Sequence, residues 1–70
     1  MKRRALEFVV DARQTAVVSQ TVRETAGSAL SRLTLAPVDG TPRYKIIALL
    51  DEPLMARVMQ AVMNALDKSG

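Results

Sequence analysis

Residues 28–50 read SALSRLTLAPVDGTPRYKIIALL and contain the strongest structural signal in the chain. Two runs rich in Leu, Ile and Thr, residues 28–36 and 43–50, flank the dipeptide Asp39-Gly40. Asp-Gly between such runs is typical of a β-hairpin, because a type I′ turn needs positive φ at both of its central residues. The stretch therefore predicts two antiparallel strands joined by a two-residue loop.

The two-residue loop also predicts which side chains face each other across the hairpin. It places Leu33 opposite Ile46 and Thr34 opposite Lys45. The two prolines that flank the loop then pair at a position that needs no N–H group. On the open face of the sheet, away from the helices, this register predicts Glu7, Val9, Arg32, Thr34, Lys45 and Ile47, with Leu30 and Leu49 at one end.

A strand and a helix precede the hairpin. Residues 4–11 alternate, with Leu6, Phe8 and Val10 on one face, as expected for a strand with one buried side. A helix over about residues 13–25 follows, with Asp11 as its N-cap and Gly27 at its end. No segment of the chain is evidently repeated in another.

A second helix follows the hairpin, beginning at Asp51-Glu52-Pro53 and running to about residue 67. An acidic residue before an early proline favours a helix start. The apolar face of this helix covers about half of the helical wheel, which is more than packing on one sheet requires. The surplus lies on one flank at Met59 and Met63, which either cover the edge of the core or form a contact with another subunit.

The order strand, helix, strand, strand, helix predicts an α+β fold in one domain, residues 1–70, with residues 1–4 as a frayed basic end. The expected fold is a ferredoxin-like βαββα(β) sandwich, an antiparallel sheet with two helices on one face. A right-handed crossover would set the first strand parallel to the third, in the sheet order 1-3-2. The first strand is then an exposed edge, which invites pairing with another chain.

The composition excludes several kinds of chemistry. The 70 residues include ten Lys and Arg against seven Asp and Glu, with neither His nor Cys. Without Cys there is no disulfide and no thiolate metal site, and without His the commonest general base is missing. The serines therefore lack a familiar activating partner, and Asp51 and Glu52 are better explained by helix capping. The composition favours a protein that is not an enzyme and binds neither cofactor nor metal.

The layout over residues 5–67 resembles the ACT domain, a small βαββαβ regulatory module. The resemblance lies in a first strand that closes in Val9-Val10-Asp11, followed by a helix, the hairpin and an amphipathic helix. It implies a regulatory or ligand-sensing domain that acts as a homodimer and binds an amino acid. The ligand would lie at the subunit boundary near Asp11, Arg13 and Gln14.

Two other functions remain open. The first is that of an accessory subunit or protein-interaction module without a small-molecule ligand. The second is that of a weak nucleic-acid binder. The interface candidates for association, either with a second copy or with another protein, are Val9, Ile47, Leu49, Met59 and Met63. The candidates for binding an anion or nucleic acid are Arg32, Arg43 and Lys45.

The sequence predicts a cytoplasmic protein without a membrane segment. The basic start at Lys2, Arg3 and Arg4 is followed by an apolar run that Glu7 and Asp11 interrupt, so no signal-peptide core is formed. No apolar stretch approaches the roughly 20 residues that a membrane-spanning helix needs.

Overall fold

A computed structural model describes residues 2–69, with side chains described to residue 68. Met1 and Gly70, the ends of the predicted single domain, lie outside the described residues. The α+β class is confirmed, with a three-stranded antiparallel sheet and two helices. The strands and helices are β1 (Arg3–Asp11), α1 (Thr15–Ala26), β2 (Leu30–Pro37), β3 (Arg43–Asp51) and α2 (Met55–Ser69). Three-residue 3₁₀ turns lie at Ala12–Gln14, Gly27–Ala29 and Glu52–Leu54.

The sheet has the order β1-β3-β2, and both of its strand pairs are antiparallel. The prediction that the first strand runs parallel to the third was therefore wrong. The connection through α1 joins β1 to β2, so these two strands share one direction, and the hairpin then reverses β3 relative to both. The crossover fixes the direction of β1 against β2 and not against the strand that lies between them.

The hairpin is where predicted, but its register is shifted by two residues. Leu33 lies opposite Ala48 and Thr34 opposite Ile47, whereas the two-residue loop required Ile46 and Lys45. Because the side-chain period of a strand is two, this shift keeps the central residues of β2 on their predicted faces. The register was wrong and the assignment of faces was right over this part of the strand.

The shift follows from a four-residue loop, residues 39–42, in place of the two-residue turn. The Val38 N–H donates to the Arg43 carbonyl at 3.0 Å, and the Thr41 N–H donates to the Val38 carbonyl at 3.2 Å. Gly40 has φ of 76°, and no residue other than glycine has positive φ among those described, so Asp39 does not adopt the type I′ conformation. The Thr41 hydroxyl also donates to the Val38 carbonyl at 3.0 Å and accepts the Arg43 N–H at 3.2 Å.

One residue of the predicted open face belongs on the other side. An irregularity in the pairing between Leu30 and Arg32 sets Leu30 opposite Leu50, and Leu30 packs against the core. A bulge of this kind adds one residue to one strand, so the alternation of faces is broken there. The placement of Leu30 on the open face was therefore wrong.

The core lies between one face of the sheet and the two helices. In β1 and β3 the buried residues are even-numbered, and the helices contribute pairs of buried valines. Valine and isoleucine suit this role because their branched side chains pack well on a pleated surface. The buried core consists of Leu6, Val10, Val18, Val22, Ala26, Ile46, Ala48, Leu50, Val58 and Val62.

A three-residue 3₁₀ turn separates each helix from the strand before it. The turn at Ala12–Gln14 precedes α1, where the Asp11 N–H donates to the Gln14 Oε1 at 3.4 Å. The Thr15 hydroxyl donates to the Ala12 carbonyl at 2.9 Å and closes the same turn. Gly27, with φ of 55°, ends α1 as predicted, since a residue with a side chain rarely adopts that conformation.

The two strand–turn–helix units correspond to each other residue by residue, with an offset of forty positions. Each unit has a strand of nine residues, a three-residue turn and a helix, starting at Arg3 and at Arg43. The expectation that the chain contains no repeat was therefore wrong at the structural level. Identical residues occupy the corresponding positions Arg3 and Arg43, Asp11 and Asp51, Ala16 and Ala56, Val18 and Val58, Gln20 and Gln60, and Val22 and Val62.

The pairing between the two units is symmetric under their exchange. Arg3 lies opposite Asp51, Asp11 lies opposite Arg43, and Glu7 at the centre lies opposite Ile47. Two hydrogen bonds at the strand ends follow the same offset. The Ala12 N–H donates to the Pro42 carbonyl at 3.0 Å, and the Glu52 N–H donates to the Lys2 carbonyl at 2.9 Å. These relations describe an internal two-fold arrangement, with β2 as the additional strand on the outer side of β3.

Candidate ligand pocket and interaction surfaces

A pocket of about 350 Å³ opens where β1 passes into the turn before α1. Its lining comprises Asp11, Ala12, Arg13 and Pro42. The antiparallel pairing of β1 with β3 brings residues 12 and 42 together, and the hydrogen bond from the Ala12 N–H to the Pro42 carbonyl holds them at 3.0 Å. The pocket therefore combines the end of one strand with the end of the hairpin loop.

Two of the three predicted ligand-binding residues, Asp11 and Arg13, line this pocket. The third, Gln14, supports the turn instead, because its amide oxygen accepts the Asp11 N–H. Sequence reasoning missed Pro42. Only the direction of β1 against β3 could have placed Pro42 there, and the predicted direction was the opposite one.

The charges at the pocket are not paired with each other or with other side chains in the described part of the chain. Asp11 is half-buried and Arg13 is exposed. The one ion pair found among the described side chains joins Arg4 and Glu52, at the opposite end of the β1–β3 pair. A carboxylate and a guanidinium two residues apart can bind an ammonium group and a carboxylate of one small molecule.

In the second unit, an ion pair spans the position that corresponds to the pocket. There the Arg4 Nε donates to the Glu52 Oε2 at 2.7 Å, with both side chains about half exposed. The residue that corresponds to Glu52 in the first unit is Ala12, and the one that corresponds to Arg4 is Tyr44. No such bridge can form between an alanine and a tyrosine, so the first junction lacks this ion pair.

The open face of the sheet is partly apolar. Val9 is 53% exposed, and Ile47 and Leu49, which lie opposite Glu7 and Ala5, are half-buried. Glu7 is exposed in the middle of β1, and Lys45 lies opposite Val9. These residues lie on the predicted face, where Ile47 lies between Val9 and Leu49 in the β1–β3 register.

The three candidate cations do not form a cluster. Arg43 lies opposite Asp11 in the β1–β3 register, which gives it an acidic neighbour across the strands. Arg32 lies opposite Leu49, which is four residues along β3 from Lys45. Four residues of a strand span about 13 Å, so the backbone positions of Arg32 and Lys45 lie well apart, whereas Arg43 and Lys45 are two residues apart on one face of β3.

The outer flank of α2 exposes the two methionines that exceeded the needs of the core. Met59 is 42% exposed and Met63 is 58% exposed, one helical turn apart. Val58 and Val62, next to them in sequence, are fully buried. Two large apolar side chains on one side of a helix form a small apolar surface, whose exposure to water is unfavourable in free energy.

No group of three or more His, Cys, Asp or Glu side chains among the described residues is placed to hold a metal ion. No helix in the described part of the chain has the length and apolar character needed to cross a membrane.

Comparison of this chain with protein-family models, with curated proteins and with solved structures finds no significant match. The function of the chain is therefore inferred from the geometry of the pocket and of the two exposed surfaces.

Proposed function

We propose that this chain is a small non-enzymatic ligand-sensing domain that acts as a homodimer, as its ACT-like layout implies. The observation that carries the proposal is the pocket at the β1–α1 junction, lined by Asp11 and Arg13, neither of which forms an ion pair with a described side chain. The arrangement βαββα with the sheet order β1-β3-β2 supports a ferredoxin-like origin of the fold. The lack of His and Cys supports a binding role rather than catalysis.

The chemistry of the pocket favours a free amino acid as the ligand. Arg13 presents planar N–H donors that match a carboxylate, and the Asp11 carboxylate matches an ammonium group. The pocket volume of about 350 Å³ accommodates a small molecule of this kind. A cytoplasmic location remains a prediction for a protein with this role.

The test is a thermal-shift screen of the purified protein against the natural amino acids. A ligand that binds only the folded state stabilises it by about 2.7 kcal/mol at one hundred times its dissociation constant. We expect one or a few amino acids to raise the melting temperature, and Arg13→Gln to abolish the shift. Arg23→Gln is the matched control, because Arg23 is an exposed arginine on α1, outside the pocket, and has no ion-pair partner among the described residues.

Asp11→Asn tests the ammonium half of the site. Asparagine caps a helix as well as aspartate, so we expect the variant to fold. The variant should keep affinity for a simple carboxylate such as acetate and lose affinity for the amino acid. If no amino acid shifts the melting temperature of the unmodified protein, the proposed ligand class is wrong.

A second candidate is a protein-interaction module without a small-molecule ligand. The exposure of Met59 and Met63 on one flank of α2 favours it, because methionine is common at adaptable binding surfaces. Met59→Glu with Met63→Glu should then abolish association while leaving the helix content unchanged. An unaltered oligomeric mass would exclude this flank.

A further inference from the structure

The outer edge of β1 is regular and uncovered, whereas the equivalent edge of β3 is covered by β2. The register of β1 against β3 runs without interruption from Arg3 to Asp11, and the strand contains neither Pro nor Gly. Among residues 2–69 no strand lies on its other side. Such an edge is a template for another strand unless it is bulged, shortened, or blocked by proline or charge, and of these β1 has only charged side chains such as Arg4 and Glu7.

The strand-end hydrogen bonds show which backbone groups point to this edge. The Ala12 N–H donates to the Pro42 carbonyl, and the Lys2 carbonyl accepts the Glu52 N–H. Residues 2 and 12 therefore belong to hydrogen-bonded pairs, and because such pairs alternate, the even-numbered residues of β1 form the hydrogen-bonded pairs with β3. The N–H and carbonyl groups of Arg3, Ala5, Glu7 and Val9 therefore point away from β3. Their side chains lie on the open face of the sheet, where they are exposed.

We propose that β1 of a second copy of this chain pairs antiparallel with this edge, centred on Glu7, and forms a continuous six-stranded sheet. This inference rests on the homodimer of the proposed function and names the strand that forms it. A two-fold axis normal to the sheet keeps the core faces of both copies on one side, which allows only pairings of odd with odd residues.

Charge complementarity selects the register. Centred on Glu7, all nine residues of β1 overlap, and Arg3 lies opposite Asp11 of the partner subunit at both ends of the pairing. The same residue types lie opposite each other in the β1–β3 register, Arg3 across from Asp51 and Asp11 across from Arg43, although no ion pair joins these described side chains there. The one unfavourable contact is Glu7 against its own copy at the centre, on the exposed face.

The absence of cysteine from the sequence makes the register directly testable with single thiols. Across the axis the Cα atoms of a hydrogen-bonded pair are about 5.5 Å apart, which is within the range of a disulfide. We expect Glu7→Cys to form a disulfide-linked dimer under mild oxidation, at least about tenfold faster than single thiols held apart. Circular dichroism of each variant checks that it folds.

Ala5→Cys and Met63→Cys are the matched controls. Two copies of Ala5 would lie four residues apart along the strands, about 13 Å, so Ala5→Cys alone should not cross-link. Mixing Ala5→Cys with Val9→Cys should give the mixed disulfide, because these positions face each other in this register. Met63 is 58% exposed on α2, and Met63→Cys reports random collision.

The central Glu7 pair supplies a second measurement that needs no thiol. Glu7→Gln should lower the dissociation constant of the dimer, and a mixture of the unmodified chain with Glu7→Lys should form more heterodimer than chance, because opposite charges then face each other. Fastest cross-linking by Met63→Cys, or no preference among the thiols, overturns the β1 interface and leaves the homodimer standing. A monomer at every concentration overturns both, while the thermal shift and its loss in Arg13→Gln report on the pocket, because Arg13 lies outside the paired strand.

Discussion

Ser19 is the residue whose chemistry fits its surroundings least. It is 9% exposed on the buried side of α1, and its hydroxyl has no hydrogen-bond partner in the described part of the chain. An unsatisfied buried hydroxyl costs free energy, and alanine also has the higher helix propensity. We expect Ser19→Ala to raise the free energy of unfolding by about 1 kcal/mol.

Chemical denaturation measures that change, and Ser28→Ala is the control, because Ser28 is exposed in the turn after α1. A loss of stability in Ser19→Ala would show that the hydroxyl has a partner, such as a bound water. Ser19 is not identified as a buried residue from the sequence. Its burial depends on how α1 packs against its neighbours, which the periodicity of one helix does not contain.

At the scale of the element, the hairpin shows what a turn signal does and does not specify. Asp39-Gly40 correctly located the reversal of the chain, since Gly40 does adopt positive φ. The loop length was wrong because the Thr41 hydroxyl bonds both Val38 and Arg43 and draws Thr41 and Pro42 into the loop. Side-chain hydrogen bonds to the backbone compete with the strand ladder, and a dipeptide rule does not include them.

We expect the Thr41 hydroxyl to stabilise the hairpin loop through these two hydrogen bonds. Thr41→Val keeps the branched shape and removes both hydrogen bonds, so we expect it to lower the free energy of unfolding by about 1–2 kcal/mol. Thr41→Ser retains the hydroxyl and should lose less than half of that amount. Equal losses in the two variants, measured by urea denaturation, would mean that the methyl group matters and the hydroxyl does not.

The pocket shows how an error at the level of the element reaches the site. The resemblance to the ACT domain implied a ligand near Asp11, Arg13 and Gln14, and the structure brings Asp11 and Arg13 to the lining of one pocket. With β1 parallel to β3, residue 12 would have lain near residue 51 rather than near Pro42. Whether Pro42 lines the pocket therefore depends on the direction of β1 against β3, and the order of elements does not give that direction until all three strands are placed.

At the scale of the whole molecule, the two strand–turn–helix units share one core rather than forming two. Val18 and Val22 of α1 and their counterparts Val58 and Val62 of α2 are all fully buried in a single cluster. The correspondence was not visible in the sequence, because only two of the nine equivalent strand positions carry the same residue, and core-facing positions hold apolar residues of different shape, such as Phe8 and Ala48. Burial is preserved between the units where identity is not.

A shared core predicts that the chain unfolds as one cooperative unit and that equivalent residues contribute alike. Val18→Ala and Val58→Ala each remove two buried methyl groups, so both should lower the free energy of unfolding by about 1.5–3 kcal/mol. Helix circular dichroism and the fluorescence of Tyr44, on β3, should report the same transition in each variant. If Val58→Ala releases helix signal before the Tyr44 signal changes, α2 unfolds independently, and the two halves of the molecule do not depend on one core.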